Sequence, residues 1–286
     1  MRGRPTPFVV LTSPRTGSAW LVDTLNDHPA IAAYPELFLP EATGMPDYAS
    51  SDVPYFHGFL ERVRPFPGRG RRLRLFGYLG SLYAGRAGVG AVGFKLMYGQ
   101  VHANPGLLPY FALRRVRVLH LIRANLFRAV LSYDVAKSTG VFHARRGDAL
   151  PSTILRLDPA DLIERLEQRE EAVTLARRWV ERYRLPYLEV SYEGMCDRRE
   201  ETLSRILRFL GVEPSEDRLD SAFARINSVP LSELIENLYD VRGVLAGTRF
   251  EWMLEAAERG SMRTVAAGVT DPDAASLAEP TRRVSK

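Results

Sequence analysis

Residues 8–21 read Phe8-Val9-Val10-Leu11-Thr12-Ser13-Pro14-Arg15-Thr16-Gly17-Ser18-Ala19-Trp20-Leu21, and this stretch decides the fold. Phe8 to Leu11 is a short, unbroken apolar run, the pattern of a strand buried on both faces. It gives way to a turn-rich segment from Thr12 to Ser18. From Ser18 onward Trp20, Leu21, Val22 and Leu25 fall at helical spacing, and the helix is expected to stop before His28-Pro29. The order is therefore strand, loop, helix.

Outward from this unit the same alternation returns. Ala91 to Met97, Val116 to Ile122 and Pro186 to Val190 read as further strands. Leu126 to Lys137, Pro159 to Arg184 and Arg198 to Leu210 read as helices, the last closed by Gly211. Strands alternating with helices predict an α/β fold, a parallel sheet flanked by helices with ligands at the strand C-terminal ends. Residues 29–60 lack a clean period and are expected to form a long, partly ordered loop with short helices. The stretch around Pro65 to Arg74, with Arg69, Arg71, Arg72 and Arg74, reads as a solvated basic segment. Residues 1–260 read as one domain, and 261–286, rich in Ala, Pro, Asp and Arg, as a disordered tail.

Composition narrows the function. The 286 residues carry 39 Lys+Arg against 34 Asp+Glu, a net +5 that suits an anionic small ligand. The single cysteine, Cys196, excludes an internal disulfide framework and a thiolate zinc site. No apolar run approaches the roughly 20 residues of a membrane span. The opening residues lack the apolar region of a secretion signal, so the expected location is cytoplasmic.

The loop after the first strand can cradle an anion. N–H groups at a helix N-terminus point at the ligand, Gly17 permits close approach, Thr16 and Ser18 offer hydroxyls, and Arg15 supplies a permanent guanidinium. The nucleoside-triphosphate signature GxxxxGK[ST] is absent, because no lysine follows Gly17.

The segment LTSPRTGSAWL resembles the 5′-phosphosulfate loop of sulfotransferases that use 3′-phosphoadenylyl sulfate (PAPS) and release 3′,5′-adenosine bisphosphate (PAP). Arg15, where many members carry lysine, is similar to the tyrosylprotein branch and the bacterial trehalose-type (Stf0-like) branch. Leu119-His120-Leu121-Ile122-Arg123 followed by Arg128-Ala129-Val130-Leu131-Ser132 resembles the family's 3′-phosphate segment, with one extra residue between Arg123 and Ser132. Gly93 to Gln100 is similar to the GxKLM…Q segment of the trehalose-type branch. The far segment, Ser228-Val229-Pro230-Leu231 through Trp252, resembles that branch's C-terminal region. The resemblance implies a three-layer sulfotransferase fold and PAPS as co-substrate without a metal. It implies nucleotide contacts at Arg15, Thr16, Gly17, Ser18, Ala19, Arg123, Ser132 and Arg249.

Sulfuryl transfer requires the charge on the leaving phosphate to be neutralised and the acceptor hydroxyl to lose its proton. Arg15 and Lys95 are the candidates for the first task. For the second, many relatives place a histidine two residues after the lysine, where this chain has Met97. The resemblance then points to Glu36 as base, with His102 and His143 as weaker candidates. The expected partner is a hydroxyl acceptor: a small molecule, lipid, natural product or carbohydrate. The aromatics of residues 34–60 would form an apolar acceptor wall, or else simply fill a core. No nucleic-acid partner is expected, and a homodimer is left open. Two alternatives stand beside this reading: a small-molecule kinase on the same fold, and a non-catalytic nucleotide- or polyanion-binding module using Arg62 to Arg74.

Overall fold

A computed structural model describes residues 4–39, 53–62, 70–84, 88–144, 148, 153–215, 218–223 and 230–259. The expected tail, Tyr48, Pro65 to Arg69 and the pair Ser228-Val229 lie outside the described residues. In chain order the elements are β1 (Thr6–Thr12), α1 (Ser18–Asn26), β2 (Ile31–Glu36), α2 (Phe56–Arg62), α3 (Arg71–Leu82), β3 (Ala91–Met97), α4 (Tyr98–Ala103), α5 (Leu107–Arg114) and β4 (Arg117–Ile122). They continue with α6 (Leu126–Thr139), α7 (Pro159–Arg182), β5 (Tyr187–Ser191), α8 (Tyr192–Asp197), α9 (Arg199–Leu210), α10 (Leu231–Leu234), α11 (Leu238–Leu245) and α12 (Glu251–Glu258).

The five strands form one sheet in the order β2-β3-β1-β4-β5, and every pairing is parallel. Helices cover both faces, as the alternation in the sequence predicts. On one face Phe8, Val10, Ala33, Leu119 and Leu121 meet α1, α8 and α9 through Leu21, Leu25, Met195, Ile206 and Leu210. On the other, Val9, Leu11, Phe94, Leu96 and Val118 meet α3, α5 and α7 through Leu79, Phe111, Ala176 and Val180. Each strand is thus wrapped in apolar contacts on both sides, which is why β1 reads as a continuous apolar run. β1 lies mid-sheet with β3 on one side and β4 on the other, so its C-terminal loop opens at the switch point where α/β sheets place ligands.

One expectation is corrected: residues 31–36, read from sequence as loop, form the edge strand β2. Arg71 and Arg72, read as part of a solvated stretch, are exposed; with the half-buried Arg74 they lie on α3, where Leu75, Tyr78 and Leu79 anchor the helix to the core. Arg71 donates to Asn104 Oδ1 (3.1 Å) and lies over the Phe56 ring.

A buried polar network braces the sheet. The His120 side chain, on β4, is fully buried and hydrogen-bonds Tyr98 through Nε2 (2.6 Å) and Tyr187 through Nδ1 (2.8 Å). Glu189 lies 3.2 Å from Nδ1 and takes a two-pronged contact from Arg177 of α7 (2.7 and 2.9 Å). Burial lowers the His120 pKa, which keeps the ring neutral at pH 7. The network ties α4, β4, β5 and α7 together just before the β4 strand end that launches Arg123. Among the described residues, no helix is long and apolar enough to cross a membrane.

Candidate functional site

The β1–α1 loop has the conformation of an anion cradle. Arg15 and Gly17 both adopt left-handed backbone (φ 71° and 80°), the kind of turn in which successive N–H groups can face an anion. A Cβ on Gly17 would lie 2.5 Å from the Tyr192 ring, so both space and φ demand glycine there. No side chain caps α1 and no acidic residue stands in its first turn, which leaves the positive helix end to a ligand. Ser18 and Ala19 are buried in that first turn. The Thr16 hydroxyl is spent inside the loop, donating to the Ser13 carbonyl (3.0 Å) and facing Thr12 Oγ1 (2.5 Å). What Thr16 can offer an anion is therefore its backbone rather than the hydroxyl read from sequence.

The two segments that the sequence assigns to opposite ends of a nucleotide meet here. Arg15 Nε donates to Ser132 Oγ of α6 (3.0 Å), and Arg15 Nη1 donates to the Phe142 carbonyl. Arg123, just past β4, donates from Nη1 to the Arg15 carbonyl (2.9 Å) and lies over the Tyr192 ring at 4.7 Å. Arg123 Nε is buried without a hydrogen-bond partner. Among the described residues neither Arg15 nor Arg123 has a carboxylate within ion-pair distance. Burial, with Arg123 alongside, lowers Arg15 to about 10, so it stays a cation at neutral pH in a place that penalises cations.

At the neighbouring strand ends, Lys95 of β3 and Glu36 of β2 form a buried ion pair, Nζ to Oε1 2.8 Å, with side chains 1% and 6% exposed. The pair exists because the β2–β3 register slips between Tyr34 and Glu36, which sets Glu36 opposite Lys95. Pro35 is the residue bulged out. It has no N–H to give the ladder, and the extra residue turns Glu36 onto the Lys95 face. Gln100 Nε2 donates to Glu36 Oε2 (3.0 Å), and its Oε1 accepts from the Met97 N–H.

The electrostatic neighbours of His143 are Lys95 and Arg15, and burial together with their charges lowers it to about 4. Unfolded, the imidazole titrates near 6.5. Between these values the unfolded chain binds the extra proton, so stability falls as pH drops from about 6.5 to about 4 and is constant above. His143→Gln should flatten that part of a denaturation-midpoint curve, and an unchanged slope would show that the side chain does not titrate in this environment. His102 instead packs its ring edge-on to Trp179 of α7 (5.0 Å).

Arg249 is engaged by carboxylates. It pairs with Glu167 (3.2 Å) and Glu170 (2.9 Å) of α7 and stacks on Phe250. The aromatics expected to wall an acceptor pocket pack on one another instead. Phe38, Phe56 and Phe59 meet Tyr78 within 6.1 Å, and Tyr34 joins the same core.

Three residues that sequence reasoning passed over shape the site. Glu193, buried at the start of α8, accepts from the N–H groups of Ala124 (2.9 Å) and Asn125 (3.2 Å) and so fixes the turn that carries Arg123. Tyr192 supplies the ring beneath Arg123 and beside Gly17. Arg169 of α7 approaches the Pro14 carbonyl. Tyr192 and Glu193 directly follow a strand, a position that could have marked them; Arg169 sits among other charges of a long helix and carried no such signal.

No protein-family model and no curated protein matches the chain. Among solved structures, it is similar to a sulfotransferase from Alicyclobacillus acidocaldarius at 18% identity and TM-score 0.47, covering 92% of this chain and 98% of that one. It is also similar to the sulfotransferase domain of the curacin biosynthetic pathway, at 15% identity and TM-score 0.43 over 75% of this chain and 77% of that one. A third similarity is to mouse sulfotransferase SULT7A1 complexed with PAP, at 14% identity and TM-score 0.39 over 76% and 62%.

Proposed function

We propose that the protein is a sulfotransferase that moves the sulfuryl group of PAPS to the hydroxyl of an acceptor and releases PAP. One observation carries the reading. The loop arginine Arg15, the strand-end Arg123 and the helix residue Ser132 converge through direct hydrogen bonds, as charge without a counter-carboxylate among the described residues. A nucleotide bearing phosphate at both ends of its ribose supplies the missing negative charge in two places. In this reading the loop N–H groups, Arg15 and Lys95 take up the charge that develops on the leaving phosphate, and Arg123 with Ser132 hold the 3′-phosphate. Glu36 accepts the acceptor's proton. Both its oxygens already accept bonds, but a carboxylate retains further lone pairs for a substrate hydroxyl.

His143 is a second candidate base, favoured by one observation: beside Lys95 and Arg15 it is held neutral and can accept a proton. Separate Glu36→Gln and His143→Gln rate profiles assign the role.

A thermal-shift panel with PAP, PAPS, ATP with Mg²⁺, and RNA tests the function itself. PAP and PAPS should stabilise the protein. A shift with ATP and Mg²⁺ but not PAP would favour a kinase, and a shift with RNA alone would favour a polyanion-binding module. Arg123→Ala should cost about 1.5–3 kcal/mol of PAP binding, the range for a hydrogen bond to a charged group, and leave adenosine 5′-phosphate nearly unaffected. Equal losses for both nucleotides, read by titration calorimetry, would remove Arg123 from the 3′-phosphate.

A further inference from the structure

Two arginines one helical turn apart on α7 meet different fates. Arg165 is matched by carboxylates, with Nη2 2.5 Å from Asp134 Oδ1 and Nη1 3.7 Å from Asp161 Oδ1. Arg169 has no carboxylate within ion-pair distance among the described residues. Its contacts are a long hydrogen bond to the Pro14 carbonyl (3.4 Å) and the Tyr133 ring at 5.9 Å, both near the outer limit for such contacts. These weak contacts leave a half-buried guanidinium beside the loop without a strong partner.

Arg169 reaches the carbonyl of Pro14, and Arg123 reaches the carbonyl of the next residue, Arg15. On α6, Tyr133 lies under Arg169, and the preceding Ser132 takes the hydrogen bond from Arg15. Two consecutive loop residues and two consecutive helix residues thus gather three guanidiniums, none with a described carboxylate within ion-pair distance. We propose that Arg169 is a third phosphate-binding arginine of this site and that, with Arg123 and Ser132, it sets the preference for a nucleotide with a 3′-phosphate. The inference rests on the sulfotransferase reading above. Burial and the charges of Arg165 and Arg123 lower the Arg169 pKa, against the opposing charge of Asp134.

The test is calorimetric titration of wild type, Arg169→Gln and Arg169→Lys with PAP and with adenosine 5′-phosphate, which lacks the 3′-phosphate. Wild type should prefer PAP. Arg169→Gln should weaken PAP by about 10–100-fold while adenosine 5′-phosphate changes less than about twofold, and Arg169→Lys should recover part of the loss. Without nucleotide, Arg169→Gln should melt no lower than wild type, because it removes a cation held only by two weak contacts and by no described carboxylate within ion-pair distance. An unchanged PAP preference in Arg169→Gln, or a melting point several degrees lower with equal losses for both nucleotides, would reduce Arg169 to a loop prop. A wild type that binds both nucleotides alike, or neither, would overturn the sulfotransferase reading and this proposal with it.

Discussion

Glu36→Gln should lower kcat by about 10²–10⁴-fold, the usual cost of losing a general base, with PAP affinity nearly unchanged. The amide keeps the shape and the contact with Gln100 but cannot take the acceptor's proton. The donor loop on β1 is untouched, which is why nucleotide binding should hold. Single-turnover sulfuryl transfer measures the first quantity and calorimetry the second. Near-normal turnover in Glu36→Gln, with the loss appearing in His143→Gln, would move the base to the histidine.

Lys95→Met should destabilise the fold by about 3–5 kcal/mol, the range for breaking a buried pair by removing one partner. The methionine fits the apolar strand environment, but Glu36 remains as a buried carboxylate with its counter-cation gone. The double variant Glu36→Gln/Lys95→Met should be more stable than Lys95→Met alone, since no uncompensated charge is left inside. Urea midpoints at constant slope give the comparison. A Lys95→Met loss below about 1 kcal/mol would mean that the pair is hydrated, and no strong coupling would then be expected in the double variant.

The alternation of apolar runs and amphipathic helices determined the fold class from sequence. Four strands were legible: β1, β3 and β4 because central parallel strands are buried on both faces and read as largely apolar runs, and the edge strand β5 from its short apolar stretch between two helices. The long α7 was legible from its period as Pro159 to Arg184, and the structure has it over Pro159–Arg182; the Asp158 cap on the Ala160 N–H was not read from the sequence. The anion loop was legible because its chemistry is local: a turn, a glycine and an arginine between a strand and a helix.

β2 was not legible. It is a short edge strand containing a proline, and local rules count Pro35 against strand, whereas the sheet accommodates it as a bulge. That bulge decides which face Glu36 occupies, so the partnership with Lys95 follows from register, which no local pattern carries. The same holds for His143, which reads as an isolated histidine and acquires its lowered pKa from Lys95 and Arg15, brought in from distant parts of the chain. Glu193 and Arg169 likewise act on the β4–α6 turn and the β1–α1 loop only through tertiary contact. Sequence by itself determined which residues bear the charge; the parallel stacking of strands decided which charges meet, because side-chain pairing across a sheet depends on where separate segments come to rest.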